Sequence, residues 1–278
     1  MDVGVGLPNA VSGTDGPLLV EWARRADRGP FASVGLLDRV LYDSYDPFVI
    51  LGAAAAVTER VRLVTMIVIG PLRPAALLAK QAAAVDRLSR GRLTLGLGLG
   101  ARHDDYEASG VDHATRGRRF DDQLAELRDI WEGKEIGPRP AQEGGPELLV
   151  GGDSGPAFAR MARFGDGYVH GGGPPRAFAR AASQALAAWT DLGRPGRPRL
   201  YGQGYFALGD EDRAAEYLRD YYAFTGPFAE RIAAANNTTP QAVRDFVRGY
   251  EEAGCDHLVL LPSVPDAAQL NRLADVLA

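Results

Sequence analysis

The chain has 278 residues, 46% of them hydrophobic and 24% charged, with a formal net charge of −5. That balance describes a soluble globular protein the size of one α/β barrel or two small domains, and it offers nothing to a nucleic-acid partner. One cysteine, Cys255, excludes an internal disulfide and a cysteine-based metal cluster, and no window approaches 18 uninterrupted apolar residues, so no helical membrane span is expected.

The opening MDVGVGLP lacks a basic region ahead of a long apolar run, so no secretory signal is expected and the cytoplasm is the default location. From there, short apolar runs alternate with segments of helical period, the pattern of βα units around a parallel sheet. Val3 to Leu7 reads as a first strand, with an amphipathic helix near Pro17 to Arg28. Ser33 to Leu37 is a second strand, followed by a helix from about Asp46 to Thr58. Arg62 to Ile69 is a third, with its helix over Pro74 to Leu88. Leu93 to Leu99 is a fourth, whose helix begins only near Thr115 after a polar loop. Glu147 to Val150 is a fifth, with a helix over Gly155 to Phe164. Gly167 to His170 is a sixth, backed by Pro175 to Leu192. Leu200 to Leu208 is a seventh, followed by helices near Asp210 to Phe224, Phe228 to Asn236 and Pro240 to Ala253. His257 to Leu261 is the eighth, and Pro265 to Leu277 forms the last helix. Eight such units match a (β/α)8 TIM barrel of one domain, with 133–145 as an ordinary loop.

Gly96, Gly98 and Ala101 formally satisfy G-x-G-x-x-G/A, the dinucleotide fingerprint. That motif needs a helix to open inside the loop and meet a pyrophosphate. Here Gly96 and Gly98 lie within the strand and ARHDDYEASG follows, so a Rossmann fold is disfavoured. Small residues on a barrel strand let a flat ligand or a neighbouring side chain come close.

In a barrel, chemistry sits where strands end at the C-terminal mouth. Those positions are Pro8 and Asn9, Asp38 and Arg39, Met66 to Gly70, Gly98 to Asp105, Gly151 to Gly155, His170 to Gly173, and Leu261 to Ser263. Asp38 is either functional or a partner of Arg39. His170, beside three glycines, faces a ligand on this reading. His103, with Asp104 and Asp105, could suggest a metal, but adjacent loop residues rarely converge on one ion. His113 reads as solvent-exposed loop, and His257, at the start of a strand, as structural. After the fifth strand, Gly151, Gly152, Asp153, Ser154 and Gly155 lead straight into a helix. The loop is either a phosphate cradle built on backbone amides or an ordinary N-cap. No G-x-S-x-G elbow or Walker loop points to hydrolysis or phosphoryl transfer.

The segments TERVRL, PLRPAALLAK, DRLSRGRLTLGLGLG and DDYEASGVD resemble the bacterial luciferase-like superfamily of flavin- and deazaflavin-dependent oxidoreductases. ELLVGGDSGPAFARMARFGDGYV and AGCDHLVLLPSV extend the resemblance over essentially the whole chain. It implies a TIM barrel holding reduced FMN, or coenzyme F-420, at its C-terminal mouth. It also implies a non-prolyl cis peptide, here at Met66-Ile67, behind the ring. Gly96, Gly98 and Gly100 would lie under that ring, and the Gly152 to Gly155 loop would meet the cofactor phosphate. Two departures stand out: the family's histidine after the second strand is Arg39 here, and the glutamate of the deazaflavin sugar-phosphate dehydrogenases is Ala101. Arg39 stays protonated and cannot be a general base, though it can bind an anion or stabilise a reduced flavin. His170, then His103, are the candidates for moving a proton.

The function expected from the resemblance is an FMNH2- and O2-dependent monooxygenase of a small organic substrate, supplied by a flavin reductase and dimeric as the family commonly is. Hydride transfer with coenzyme F-420 is the alternative, and a non-catalytic flavin-binding protein a lesser one. No metal site is expected.

Overall fold

The computed structural model describes residues 1–133 and 135–278; the loop expected over 133–145 therefore includes one position, Lys134, outside the described residues. The first half runs β1 (Asp2–Gly6), α1 (Gly16–Arg28), β2 (Ser33–Leu36), α2 (Pro47–Val57), β3 (Arg62–Thr65), β4 (Val68–Ile69), α3 (Ala75–Leu88), β5 (Leu93–Gly98), α4 (His103–Ala108) and α5 (Arg116–Glu132). The second half runs β6 (Glu147–Gly151), α6 (Gly155–Phe164), β7 (Gly167–Val169), α7 (Pro175–Asp191), β8 (Arg199–Phe206), α8 (Glu211–Tyr221), α9 (Phe228–Ala234), α10 (Pro240–Glu252), β9 (His257–Pro262) and α11 (Ala268–Leu277). All strand pairs are parallel, and β1 joins both β2 and β9 while β3 and β4 join β5, so the sheet closes. With β3 and β4 as two halves of one stave, this is the expected eight-stranded (β/α)8 barrel.

The expected third strand is interrupted. β3 pairs Val64 with Thr94, whereas β4 pairs Val68 with Leu97. Four residues on one side match three on the other, so this stave carries one extra residue, a bulge centred on 65–67. The polar loop after β5 also differs from expectation. It contains the six-residue helix α4, whose apolar Tyr106 is buried while His103, Glu107 and Ala108 stay exposed. A single buried aromatic among charged residues gives no helical period to read.

Residues along each strand alternate between the two cores. Val64, Leu149, Val169, Tyr201 and Val259 fill the barrel, while Leu63, Leu148, Tyr168, Leu200 and Leu258 face the helices. Helix starts follow local chemistry: Asp46 accepts from the amides of Phe48 and Val49 at 2.9 and 3.1 Å, and Pro47 takes the first turn of α2.

At the opposite end from the mouth, His257 is buried with Nε2 2.7 Å from Ser33 Oγ and its ring stacked on Tyr201 at 4.8 Å. Burial pushes its pKa down to about 4. The unfolded chain takes up that proton near pH 6.5, so stability is full above that value and is lost as pH falls towards about 4. We expect the stability advantage of the wild type over His257→Gln to shrink by about 2–3 kcal/mol between roughly pH 7 and pH 4 in urea unfolding. A difference that stays constant with pH would contradict this.

Candidate active site at the barrel mouth

The peptide bond between Met66 and Ile67 is cis, as the sequence reading expected. The three glycines of β5 and its end are what seat this bulge. A Cβ on Gly96 would lie 2.2 Å from the Thr65 carbonyl oxygen, one on Gly98 2.9 Å from Ile67 Cδ1, and one on Gly100 3.0 Å from Ile69 Cγ2. Gly100 also has φ +68°. The space before these glycines, read from sequence as the bed of a flat ring, is filled by the bulge itself.

Asp38 locks the bulge from its other side. Its carboxylate, 1% exposed, accepts from the Ile69 amide at 2.9 Å and from Arg73 at 2.6 and 3.0 Å. Arg73 also reaches Asp46 at 3.1 Å. The sequence offered Arg39 as the partner of Asp38, but the chain pairs Asp38 with Arg73. Asn9 closes the neighbouring strand ends, donating to the Leu37 carbonyl at 2.7 Å and accepting from the Leu37 amide at 3.1 Å.

Arg39 is held by α4. Its Nε donates to Asp105 at 2.7 Å, and Nη2 to the Leu41 carbonyl at 3.0 Å. Asp105 in turn accepts from the amides of Val40 and Leu41 at 2.9 and 2.7 Å, so within the triplet His103, Asp104, Asp105 it is Asp105 that pins the loop after β2. The guanidinium lies over the rings of Tyr42 and Tyr221 at 5.0 and 5.5 Å. Its Nη1 is buried and has no hydrogen-bond partner in the protein. Arg39→Ala should cost about 3–5 kcal/mol, because the wholly buried Asp105 then loses its countercharge. Thermal or urea unfolding reads this directly, and a loss below about 1 kcal/mol would contradict it.

The two candidate histidines stand apart from the bulge. His103 is exposed on α4 and stacks on His113 with ring centroids 3.5 Å apart. His170 follows Val169 by one residue, so it turns out of the barrel towards α7, edge-on to Phe178 at 5.8 Å. Tyr168 Oη lies 3.1 Å from its Nδ1, while Nε2 is buried without a partner. Burial lowers its pKa, keeping the ring neutral near pH 7.

The loop after β6 is solvent-exposed over 152–156, with Gly152 at φ +131°. Ser154 stands at the N-cap of α6, but its hydroxyl caps no amide. The Ala157 and Phe158 amides donate to the Ser154 carbonyl at 2.9 and 3.1 Å and Pro156 has no N–H, so the Gly155 amide and the Ser154 hydroxyl are the donors left for an anion, with the charge of Asp153 alongside.

What the sequence reading missed is the roof. Tyr217 and Tyr221, four residues apart on α8, join Ala10, Leu37, Met66 and Leu261 in one apolar cluster, with Ile67, Tyr205 and Tyr222 packed against it. Tyr205 and Tyr222 share a 3.0 Å hydroxyl contact, and Tyr42 Oη donates to Asp220 at 2.6 Å. Burial raises the pKa of Tyr205 and Tyr217 well above 10, so these phenols remain protonated. Beside the roof, at the ends of β7 and β8, lies a cavity of about 750 Å³. Gln203, 6% exposed, lines it and leaves its Oε1 without a partner. The mouth therefore offers neutral phenol donors and an Arg39 guanidinium that is paired with Asp105 but keeps Nη1 without a partner among the described residues. That donor set fits a flat ring with a polar edge.

Comparison with known proteins gives the family and agrees with the fold. The family model described as luciferase-like monooxygenase matches residues 1–257. An uncharacterized protein of Mycobacterium tuberculosis is 30% identical over 217 residues, covering 65% of this chain and 74% of that one. The FMNH2-dependent dimethylsulfone monooxygenase of Pseudomonas fluorescens is 31% identical over 137 residues, 43% of this chain and 37% of its own. Among solved structures, a coenzyme F-420-dependent secondary alcohol dehydrogenase shares the fold with a TM-score of 0.78 at 17% identity, covering 99% of this chain and 97% of that one.

Proposed function

The chain belongs to the luciferase-like monooxygenase family, and from that premise we propose that it is a reduced-FMN-dependent monooxygenase of a small organic substrate. When bound, reduced FMN passes two electrons to O2, so that one oxygen atom goes to the substrate and the other leaves as water. The observation that carries the reading is Arg39. A guanidinium paired with Asp105, its buried Nη1 left without a partner among the described residues, stands at the mouth where the family's histidine would be, and both candidate bases lie off the barrel interior. Such a mouth stabilises negative charge, as a reduced flavin requires, and is poorly equipped to take a proton from an alcohol. The named activity of the Pseudomonas relative points the same way.

In this reading the Met66-Ile67 bulge would support the ring and Arg39 would meet its anionic edge. The Gly155 amide and the Ser154 hydroxyl would hold the phosphate. The tyrosine roof excludes water, with Tyr205 and Tyr222 as donors that keep their protons. A separate reductase would deliver the reduced flavin.

The test is isotopic. The protein is supplied with FMN, a flavin reductase, NADH and 18O2, and offered small sulfones and ketones. Incorporation of one 18O atom into a product is the expected result. Oxidation or reduction of an alcohol and ketone pair with F-420, without 18O uptake, would replace this reading by hydride transfer. Flavin binding with neither turnover would leave a binding protein.

A further inference from the structure

Apart from Tyr205 and Tyr222, the residues that line the cavity beside the roof have no role in the FMN reading, and the cavity's chemistry is one-sided. Its walls are apolar, with Tyr205, Tyr222, Phe228, Ile232 and Phe246 among them. Among the described residues, its only charged lining residues are Arg176 and Arg231, and no carboxylate lines it. Among the described residues, neither arginine lies within ion-pair distance of an Asp or Glu, whereas Arg39, Arg73, Arg102, Arg128 and Arg160 all do. In a chain of net charge −5, two uncompensated cations on one cavity are a local reversal of sign. Arg176 also stands in the first turn of the 17-residue α7, where the helix dipole adds to its charge.

The second observation is Gln203. Its Nε2 donates to the Gly171 carbonyl at 3.0 Å, which fixes the side chain in the cavity wall, while its Oε1 is buried without a partner among the described residues. The glycine rim is pinned at its other end too, where Tyr250 Oη donates to the Gly173 carbonyl at 2.9 Å. Gly172 and Gly173, at φ +102° and +111°, hold the rim in a path that side chains rarely follow, and a Cβ on Gly172 would approach the Gln203 carbonyl oxygen at 3.4 Å. The rim is therefore closely packed at Gln203, and the cavity volume lies within the usual range for small-molecule sites, about 300–1,000 Å³.

We propose that this cavity is the substrate site and that the substrate is an amphipathic organic acid. Its carboxylate is met by Arg176 and Arg231, and its apolar body by the aromatic wall. Naming this class rests on the oxygenase reading for the word substrate, while the recognition itself needs no cofactor. Tyr205 and Tyr222 belong both to the cavity wall and to the cluster around Met66 and Ile67, so a molecule held here abuts the proposed ring site.

The experiment is calorimetric titration of the intact protein with phenylacetate, 3-phenylpropanoate and octanoate, each against its primary amide. At least one acid is expected to bind about tenfold or more tightly than its amide, a ratio that raised salt reduces. Arg176→Gln with Arg231→Gln should bring acid and amide to parity while leaving the anaerobic affinity for reduced FMN within about twofold. Equal binding of acid and amide, no binding of any pair, or an acid preference that survives the double substitution would overturn the proposal. The reduced-FMN titration separates the two readings. Acid binding with no FMN binding keeps the ligand class and removes the oxygenase, and FMN binding without acid preference does the reverse.

Discussion

Gly96→Ala is expected to destabilise the protein by about 2–3 kcal/mol or more and to weaken reduced-FMN binding by roughly an order of magnitude. The added methyl would sit 2.2 Å from the Thr65 carbonyl oxygen, a backbone atom of the neighbouring stave. That oxygen also accepts no relief from rotation, because Thr65 Oγ1 donates to the Gly96 carbonyl at 2.7 Å and ties the same two residues together. Only displacement of the stave removes the clash, and the stave leads directly into the bulge. Gly98→Ala is the internal control. There the clash, 2.9 Å, is with the tip of the Ile67 side chain, which can turn aside, so a loss below about 1.5 kcal/mol is expected. Urea unfolding of both variants, with anaerobic titration of each, decides the matter. Equal losses would mean that the glycines do not seat the bulge as described.

Asp38→Asn should cost about 3 kcal/mol, because it leaves the guanidinium of Arg73, 12% exposed, with Asp46 as its one paired carboxylate among the described residues. Asparagine can still accept from the Ile69 amide, so the loss reports the charge and not the shape. The double variant Asp38→Asn with Arg73→Met removes both charges and should recover most of that loss. Its affinity for reduced FMN should stay low even so, since Arg73 no longer ties the loop after the bulge to Asp46. Affinity that returns together with stability would show that the pair acts on stability alone.

The eight strands were legible because each is a short apolar run bounded by turn residues, and burial on both faces leaves such runs uninterrupted. The bulge position was legible only through the resemblance, since LVTMIVI carries no local mark of an extra residue. Side-chain partners were not legible at all. Asp38 and Arg73 are 35 residues apart, and Arg39 and Asp105 are 66 apart, so both pairs exist only once the barrel has closed. The sequence neighbours Asp38 and Arg39 point to different partners because alternate strand-end residues face opposite sides. The same alternation turns His170 outward, a parity argument that the strand Gly167 to His170 already allowed. The roof left a trace in YLRDYY, whose Tyr217 and Tyr221 share a helix face, but nothing there says that this face covers the mouth.

The central claim, that the barrel mouth is a site for reduced FMN, is tested most directly by a paired anaerobic titration of the wild-type protein. Reduced FMN is added in one cell and coenzyme F-420 in the other, with tyrosine and tryptophan fluorescence as the signal. The account predicts saturable binding of reduced FMN at about micromolar affinity or tighter, at one site per chain, and at least about tenfold weaker binding of F-420. Tight binding of F-420 with none of reduced FMN would contradict it.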